Sequence, residues 1–167
     1  MIRTHKKNDK SYLEKNFQAC EFDCKGGDCS QTLIDTNLVE YLQKIRDHFG
    51  KPVYINSAYR CANHNKKVGG ATNSYHTKGM AADFYIDGVN TLEIAKYAES
   101  LGILGIGHYD TFVHIDTRTN KSFWYSSKEE YRETFGGKTE EQKSNEEVKK
   151  IINDIKNLLT ELESKIK

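Results

Sequence analysis

Ser74-Tyr75-His76-Thr77-Lys78-Gly79-Met80-Ala81-Ala82-Asp83 sets an imidazole and a carboxylate around a run of small residues. From Met80 to Ile86 the run reads as a strand, which puts Asp83 on a rigid element with His76 in the loop leading into it. A second imidazole, His114, stands in Phe112-Val113-His114-Ile115-Asp116, inside a strand expected from Thr111 to Thr117. Period two places Phe112, His114 and Asp116 on one face and Val113 and Ile115 on the other. Zinc in hydrolytic sites takes three ligands from His, Asp and Glu and keeps one position open. His76, Asp83 and His114 supply such a set if their carriers are neighbours. Taken singly, the same residues also suit a structural histidine between two aliphatics and a carboxylate that caps a turn.

Outward from this stretch the elements follow from periodicity. Leu38, Val39, Leu42, Ile45 and Phe49 recur at helical spacing between Asp35 and the stop at Gly50. Val53-Tyr54-Ile55 reads as a short strand, and Cys61 to Val68 as a short helix or turn closed by Gly69-Gly70. A second helix runs from Thr91 to Ser100, with Thr91 as its cap and Leu92, Ala95, Tyr97 and Ala98 inward. Ile103 to Tyr109 is a glycine-punctuated strand that turns near Asp110 and pairs antiparallel with the strand carrying His114. Residues 1–16 are polar and read as an arm. The expectation is an α+β domain, a small antiparallel sheet with flanking helices, over residues 1–135. A polar linker follows at 136–147, and 148–167 forms a C-terminal amphipathic helix. In that helix Val148, Ile152, Ile155, Leu159, Leu162 and Ile166 make a heptad seam widened by Ile151 and Leu158. The seam suits packing back on the domain or a short coiled coil that joins copies of the chain.

Composition narrows the function classes. Among 167 residues, 25 Lys and Arg against 24 Asp and Glu leave a net charge of +1, so no basic field points to nucleic acid. No apolar run reaches the length of a membrane span, and the basic start Met1-Ile2-Arg3 leads into no hydrophobic segment of the secretory type. Cys20, Cys24, Cys29 and Cys61 are compatible with a local disulfide, a small zinc knot or buried thiols, and their spacing favours structural cysteines over a metal knot.

The ordered combination Ser57-Ala58-Tyr59-Arg60, then Ser74-x-His76-x-x-Gly79-x-Ala81-x-Asp83, then Phe112-Val113-His114-Ile115-Asp116 resembles the D-alanyl-D-alanine metallopeptidase family of zinc peptidases. Their superfamily also holds lysostaphin-type enzymes and hedgehog domains. The resemblance runs from about Phe17 to Trp124. It implies one Zn2+ bound by His76, Asp83 and His114, and peptide hydrolysis by zinc-activated water. It implies that Arg60 orients substrate and steadies the oxyanion, and it matches Ser74 to a position that contacts substrate or caps the loop; Tyr109 and Trp124, read from the residues, suit a substrate groove or the core. Many relatives carry a Glu or Asp three residues before the last histidine as the general base; here that position is Thr111. The expected base is therefore Asp116, on the side of His114, with Asp110 as the alternative. The implied substrate is a stem peptide or cross-link of bacterial peptidoglycan, cut at the cell wall by an enzyme of the endolysin type. A D-alanyl-D-alanine carboxypeptidase and a non-catalytic zinc-containing binding module are the alternatives.

Overall fold

The computed structural model describes residues 1–27 and 29–125 and, further on, residues 148, 151, 152, 155 and 156. The chain divides into two units, Met1–Lys128 and Glu129–Lys167. The predicted linker at 136–147 lies outside the described residues, as do Leu158, Leu159, Leu162 and Ile166 of the seam. Val148, Ile151, Ile152 and Ile155 are helical and about half exposed.

The first unit is α+β. Strands β1 (Ile2–Lys6), β2 (Tyr12–Glu14), β3 (Phe17–Gln18) and β4 (Gln31–Asp35) precede helix α1 (Thr36–Phe49). Strand β5 (Val53–Ser57), helix α2 (Ala62–Lys67), a 3-10 turn at Tyr75–Lys78 and strand β6 (Ala81–Ile86) follow. Helix α3 (Thr91–Ser100) and strands β7 (Gly105–His108), β8 (Val113–Asp116) and β9 (Ser122–Tyr125) complete it. The main sheet has the order β5-β6-β8-β7-β9. It is antiparallel except at one edge, where β9 runs parallel to β7, a departure from the expected all-antiparallel sheet.

The polar arm expected at residues 1–16 is instead two strands, β1 paired with β4 and β2 with β3. The side chains of β1 are mostly exposed, so its sequence carries no hydrophobic alternation; backbone bonds to β4 alone make it a strand. Helix α1 begins as expected, with the Asp35 carboxylate accepting from Asn37 N at 3.3 Å, and ends at Gly50 in the left-handed region at φ 61°. The cap of α3 is Asn90 rather than Thr91: the Asn90 Oδ1 accepts from Leu92 N at 2.8 Å. Of the four residues expected inward on α3, Ala95 and Ala98 are buried, and Ile94 joins them. Tyr97 is half-buried and stacks on His48 of α1 with ring centroids 3.6 Å apart, which joins the two helices.

Register assigns the two faces of the main sheet. Asp83 pairs with His114 and Ala81 with Asp116 across β6 and β8; Gly107 pairs with His114 and Gly105 with Asp116 across β7 and β8. Directly opposed residues share a face, so one face collects Asp83, His114, Asp116 and the two glycines. The other carries Ala82, Phe84, Ile106, Val113 and Ile115, all buried in the core under α1 and α3.

Candidate metal centre

His76 Nε2, Asp83 Oδ1 and His114 Nδ1 converge from three different elements. Asp83 Oδ1 lies 2.7 Å from His114 Nδ1 and 3.2 Å from His76 Nε2, and the two ring nitrogens are 3.3 Å apart. All three residues are buried, at 4, 9 and 8% exposure. Metal–donor distances of about 2.0–2.1 Å make a tetrahedral edge of about 3.3 Å, so the donor set matches a small divalent cation in type and in two of its three separations, the Asp83–His114 pair standing closer.

Each ligand is held by a local device. The Ser74 Oγ accepts from His76 N at 3.3 Å and caps the 3-10 turn that presents the imidazole. His76 Nδ1 lies 2.7 Å from the Ala58 carbonyl oxygen and donates to it, which leaves Nε2 bare toward Asp83 and His114. Gly79 closes the turn at φ 70°, and a Cβ there would lie 2.3 Å from the Leu33 carbonyl oxygen, so only glycine fits against β4. On β5 a register shift between Ile55 and Ser57 opposes Ser57 to Asp83. Arg60 then donates from Nη2 to Asp83 Oδ2 at 2.5 Å and from Nε to Ser57 Oγ at 2.7 Å.

Behind His114 stands a second layer. Asp116 Oδ2 is 3.1 Å from His114 Nε2, and Arg118 grips both oxygens of Asp116, from Nε to Oδ1 at 2.7 Å and from Nη2 to Oδ2 at 2.6 Å. The Arg118 guanidinium lies 4.8 Å from the Tyr75 ring and 5.0 Å from that of Trp124, which itself sits 5.0 Å from the His114 ring. The glycines of β7 make room for these groups. A Cβ on Gly105 would meet Asp116 Oδ1 at 2.0 Å, and one on Gly107 would meet Trp124 Nε1 at 2.5 Å.

The charges are mutually supported. Burial opposes ionisation of Asp83, but its contacts with His114 and His76 outweigh that and hold its pKa well below the usual carboxylate range. Burial likewise opposes charging His114, whose contacts with Asp116 and Asp83 raise its pKa. For Asp116, burial is overcome first by Arg118 and then by His114, and its pKa falls to about 2.

The placement of the remaining expected residues differs from the reading of the sequence. The Asp116 side chain is fully buried, faces the ring nitrogen of His114 that points away from the donor set, and is spanned by Arg118. Asp110 is exposed in the turn between β7 and β8. Tyr109 stacks on Phe112 at 4.3 Å and accepts from Trp124 Nε1 through its hydroxyl at 2.9 Å, at the rim of the face that carries His114. His108 is buried on the opposite face with Nε2 3.0 Å from Thr91 Oγ1. Arg118 escaped the sequence reading, although extending the alternation 112, 114, 116 by one step reaches it. Among the described residues the cysteines form no disulfide.

The family model for Peptidase M15 matches residues 15–116, more than half of the chain. The chain is 41% identical over 93 residues to the peptidoglycan L,D-endopeptidase MepK of Escherichia coli K12, covering 50% of this chain and 51% of that protein. It is 37% identical over 94 residues to the probable peptidoglycan L,D-endopeptidase MepK of Haemophilus influenzae, again half of each. It is 34% identical over 105 residues to the zinc D-Ala-D-Ala carboxypeptidase of Streptomyces albus G, 59% of this chain and 40% of that one. The chain thus spans about half the length, or less, of these relatives. The matched segment holds the three converging donors, Arg60 and Asp116, and this chain belongs to the Peptidase M15 family.

Proposed function

We propose that the chain hydrolyses peptide bonds in the stem peptides or cross-links of bacterial peptidoglycan, acting at the cell wall, with one Zn2+ held by His76 Nε2, Asp83 Oδ1 and His114 Nδ1. The observation that carries this reading is the convergence of three buried donors whose other polar atoms are already engaged, by Ala58, Arg60 and Asp116. A zinc ion bound there would supply Lewis acidity toward a peptide carbonyl and toward water.

The chain's own residues divide the remaining work. Arg60 holds Asp83 in position, and with five N–H donors it shares its guanidinium between that carboxylate and the substrate's developing oxyanion. Asp116 and Arg118 fix the His114 ring, so that Nδ1 faces the donor set. Asp110, the carboxylate with solvent access at the turn before β8, accepts the proton of the attacking water. Tyr109 and Trp124 wall the substrate side, and Ser74 serves the site by shaping the turn of His76.

An endopeptidase is preferred because the relatives at 41 and 37% identity are named as L,D-endopeptidases. The Streptomyces albus G relative gives a D-Ala-D-Ala carboxypeptidase as the second reading. Digestion of purified peptidoglycan, with products read by mass spectrometry, separates the two: split cross-links or stem peptides against released terminal D-alanine. Products formed equally with a chelator present would overturn the zinc reading. In the same assay Asp110→Asn is expected to lose about 10²–10⁴-fold in turnover with zinc content unchanged. Full turnover in that variant would clear Asp110 of the base role.

A further inference from the structure

Outside the His/Asp/His centre, the described residues hold one more set of metal-binding side chains. Cys24, Cys29 and Cys61 bring their sulfurs within 4.8 Å of one another, and all are free thiols. Cys24 and Cys61 stand 3.8 Å apart, sulfur to sulfur. A zinc–thiolate bond of about 2.3 Å implies a tetrahedral S···S edge of about 3.8 Å, so this pair already stands at the ligand–ligand distance. Three mutually adjacent thiols also exceed what one disulfide can use, since a pair would leave the third sulfur over.

The three sulfurs are packed together by their backbone surroundings. Cys24 is 2% exposed and its sulfur accepts from Cys61 N at 3.4 Å. Cys61 directly precedes α2, which sets its sulfur against Cys24. Three thiolates in contact repel, and a divalent cation is what removes that repulsion. The loop is built to close: the segment from Cys24 to Cys29 turns at Gly27 with φ 83°, and a Cβ on Gly26 would lie 2.6 Å from His64 Cβ.

We infer that Cys24, Cys29 and Cys61 form a second metal site, a tris-thiolate centre for Zn2+ separate from the His/Asp/His centre, with its fourth position taken by solvent or by His64. Soft thiolate donors select zinc over magnesium or calcium. The site clips the loop after Phe22 to the segment that carries Arg60, one residue before Cys61. That segment is tied to both sides: Tyr59 N donates to Phe22 O at 3.1 Å, and Arg60 N donates to His76 O at 3.1 Å. The second metal is thus a structural clamp next to the residue that holds Asp83.

The test uses the full chain purified under reducing conditions, loaded with zinc and freed of excess. Metal analysis is expected to give two zinc ions per chain, one lost in Cys29→Ser and the other in His114→Ala. Reconstitution with Co2+ gives an independent signature, a thiolate-to-cobalt charge-transfer band, because imidazole and carboxylate ligands cannot produce it. The band is expected in the unsubstituted chain and in His114→Ala, and lost in Cys29→Ser. If His64 is the fourth ligand, His64→Ala shifts the cobalt spectrum without abolishing the band; an unchanged spectrum assigns that position to solvent. Absence of the band in the unsubstituted chain overturns the proposal even if the cysteine variants fail to fold. A mass two hydrogens lower with a Cys24–Cys61 disulfide in the freshly purified protein overturns it as well. Failure of the His/Asp/His centre would be seen separately, as zinc content that His114→Ala leaves unchanged.

Discussion

The two faces of the five-stranded sheet each bury a histidine, and they do so for opposite purposes. On one face His114 lies among Asp83, His76 and Asp116, with every ring nitrogen next to a charged or ligating group. On the other, His108 shares the face with Ile106, Val113 and Ile115 and has the Thr91 hydroxyl at one nitrogen. The strands are the same, β7 and β8, and the side chains are one residue apart in register. A strand can therefore carry chemistry on one side and core on the other without either disturbing its partner. The difference lies in what fills the space around each ring: polar groups admitted by Gly105 and Gly107 on one side, close-packed aliphatics on the other.

The largest expected effect breaks the polar face alone. His114→Ala removes one of three donors and leaves only His76 and Asp83 toward the ion, two ligands where hydrolytic zinc takes three. Zinc at this centre and peptidoglycan hydrolysis should both be abolished, while far-UV circular dichroism stays that of the unsubstituted chain. Retained hydrolysis would mean that the centre is not the seat of the reaction. The complementary break is Phe84→Ala, on the strand of Asp83 but pointing into the fully buried core. Its cost should be about 3–5 kcal/mol of folding stability, read from urea midpoints. Zinc content in the folded fraction should remain unchanged; a loss of metal without a loss of stability would show that the two faces are coupled.

These faces were unequally legible in the sequence. Alternation in Phe112-Val113-His114-Ile115-Asp116 separates them correctly, and the order of the motifs pointed to the three donors that the fold brings together. Alternation reports only the side on which a residue lies, and it says nothing of what Asp116 touches there. It shares a face with His114, yet its oxygens are taken by Arg118 from the next step of the same alternation. The glycines of β7 weakened the strand signal for the same reason that they are there: Asp116 and Trp124 need the volume that side chains would fill. Strand β1 was invisible because its exposed residues carry no apolar period, and the clustering of Cys24, Cys29 and Cys61 was invisible because loop closure, not spacing, brings residue 61 to residues 24 and 29.

A finer break keeps both histidines and alters what orients them. Asp116→Asn preserves shape but removes the negative charge behind His114 Nε2 and leaves Arg118 facing a neutral amide. Groups that orient a metal-binding histidine are worth about 10–100-fold in metal affinity or activity. Asp116→Asn should weaken zinc binding at this centre by that factor, measured by competition with a chelating dye. An unchanged affinity would reduce Asp116 to a partner of Arg118 alone.

The matching change on the apolar face is Thr91→Val, and its expected effect is the smallest. It removes the hydroxyl 3.0 Å from His108 Nε2 while keeping the volume and branching of the side chain. Thr91 is only half-buried, so water can reach the vacated position, and the cost should stay near the net value of one hydrogen bond, about 1 kcal/mol. Zinc affinity should not move, because His108 pairs with Val113 on the face of the sheet opposite to His114. Should Thr91→Val instead loosen zinc as Asp116→Asn is expected to, the two histidines would be reporting on one strand position rather than two environments. The independence of the faces would then fail at the residue pair where it is most exposed to test.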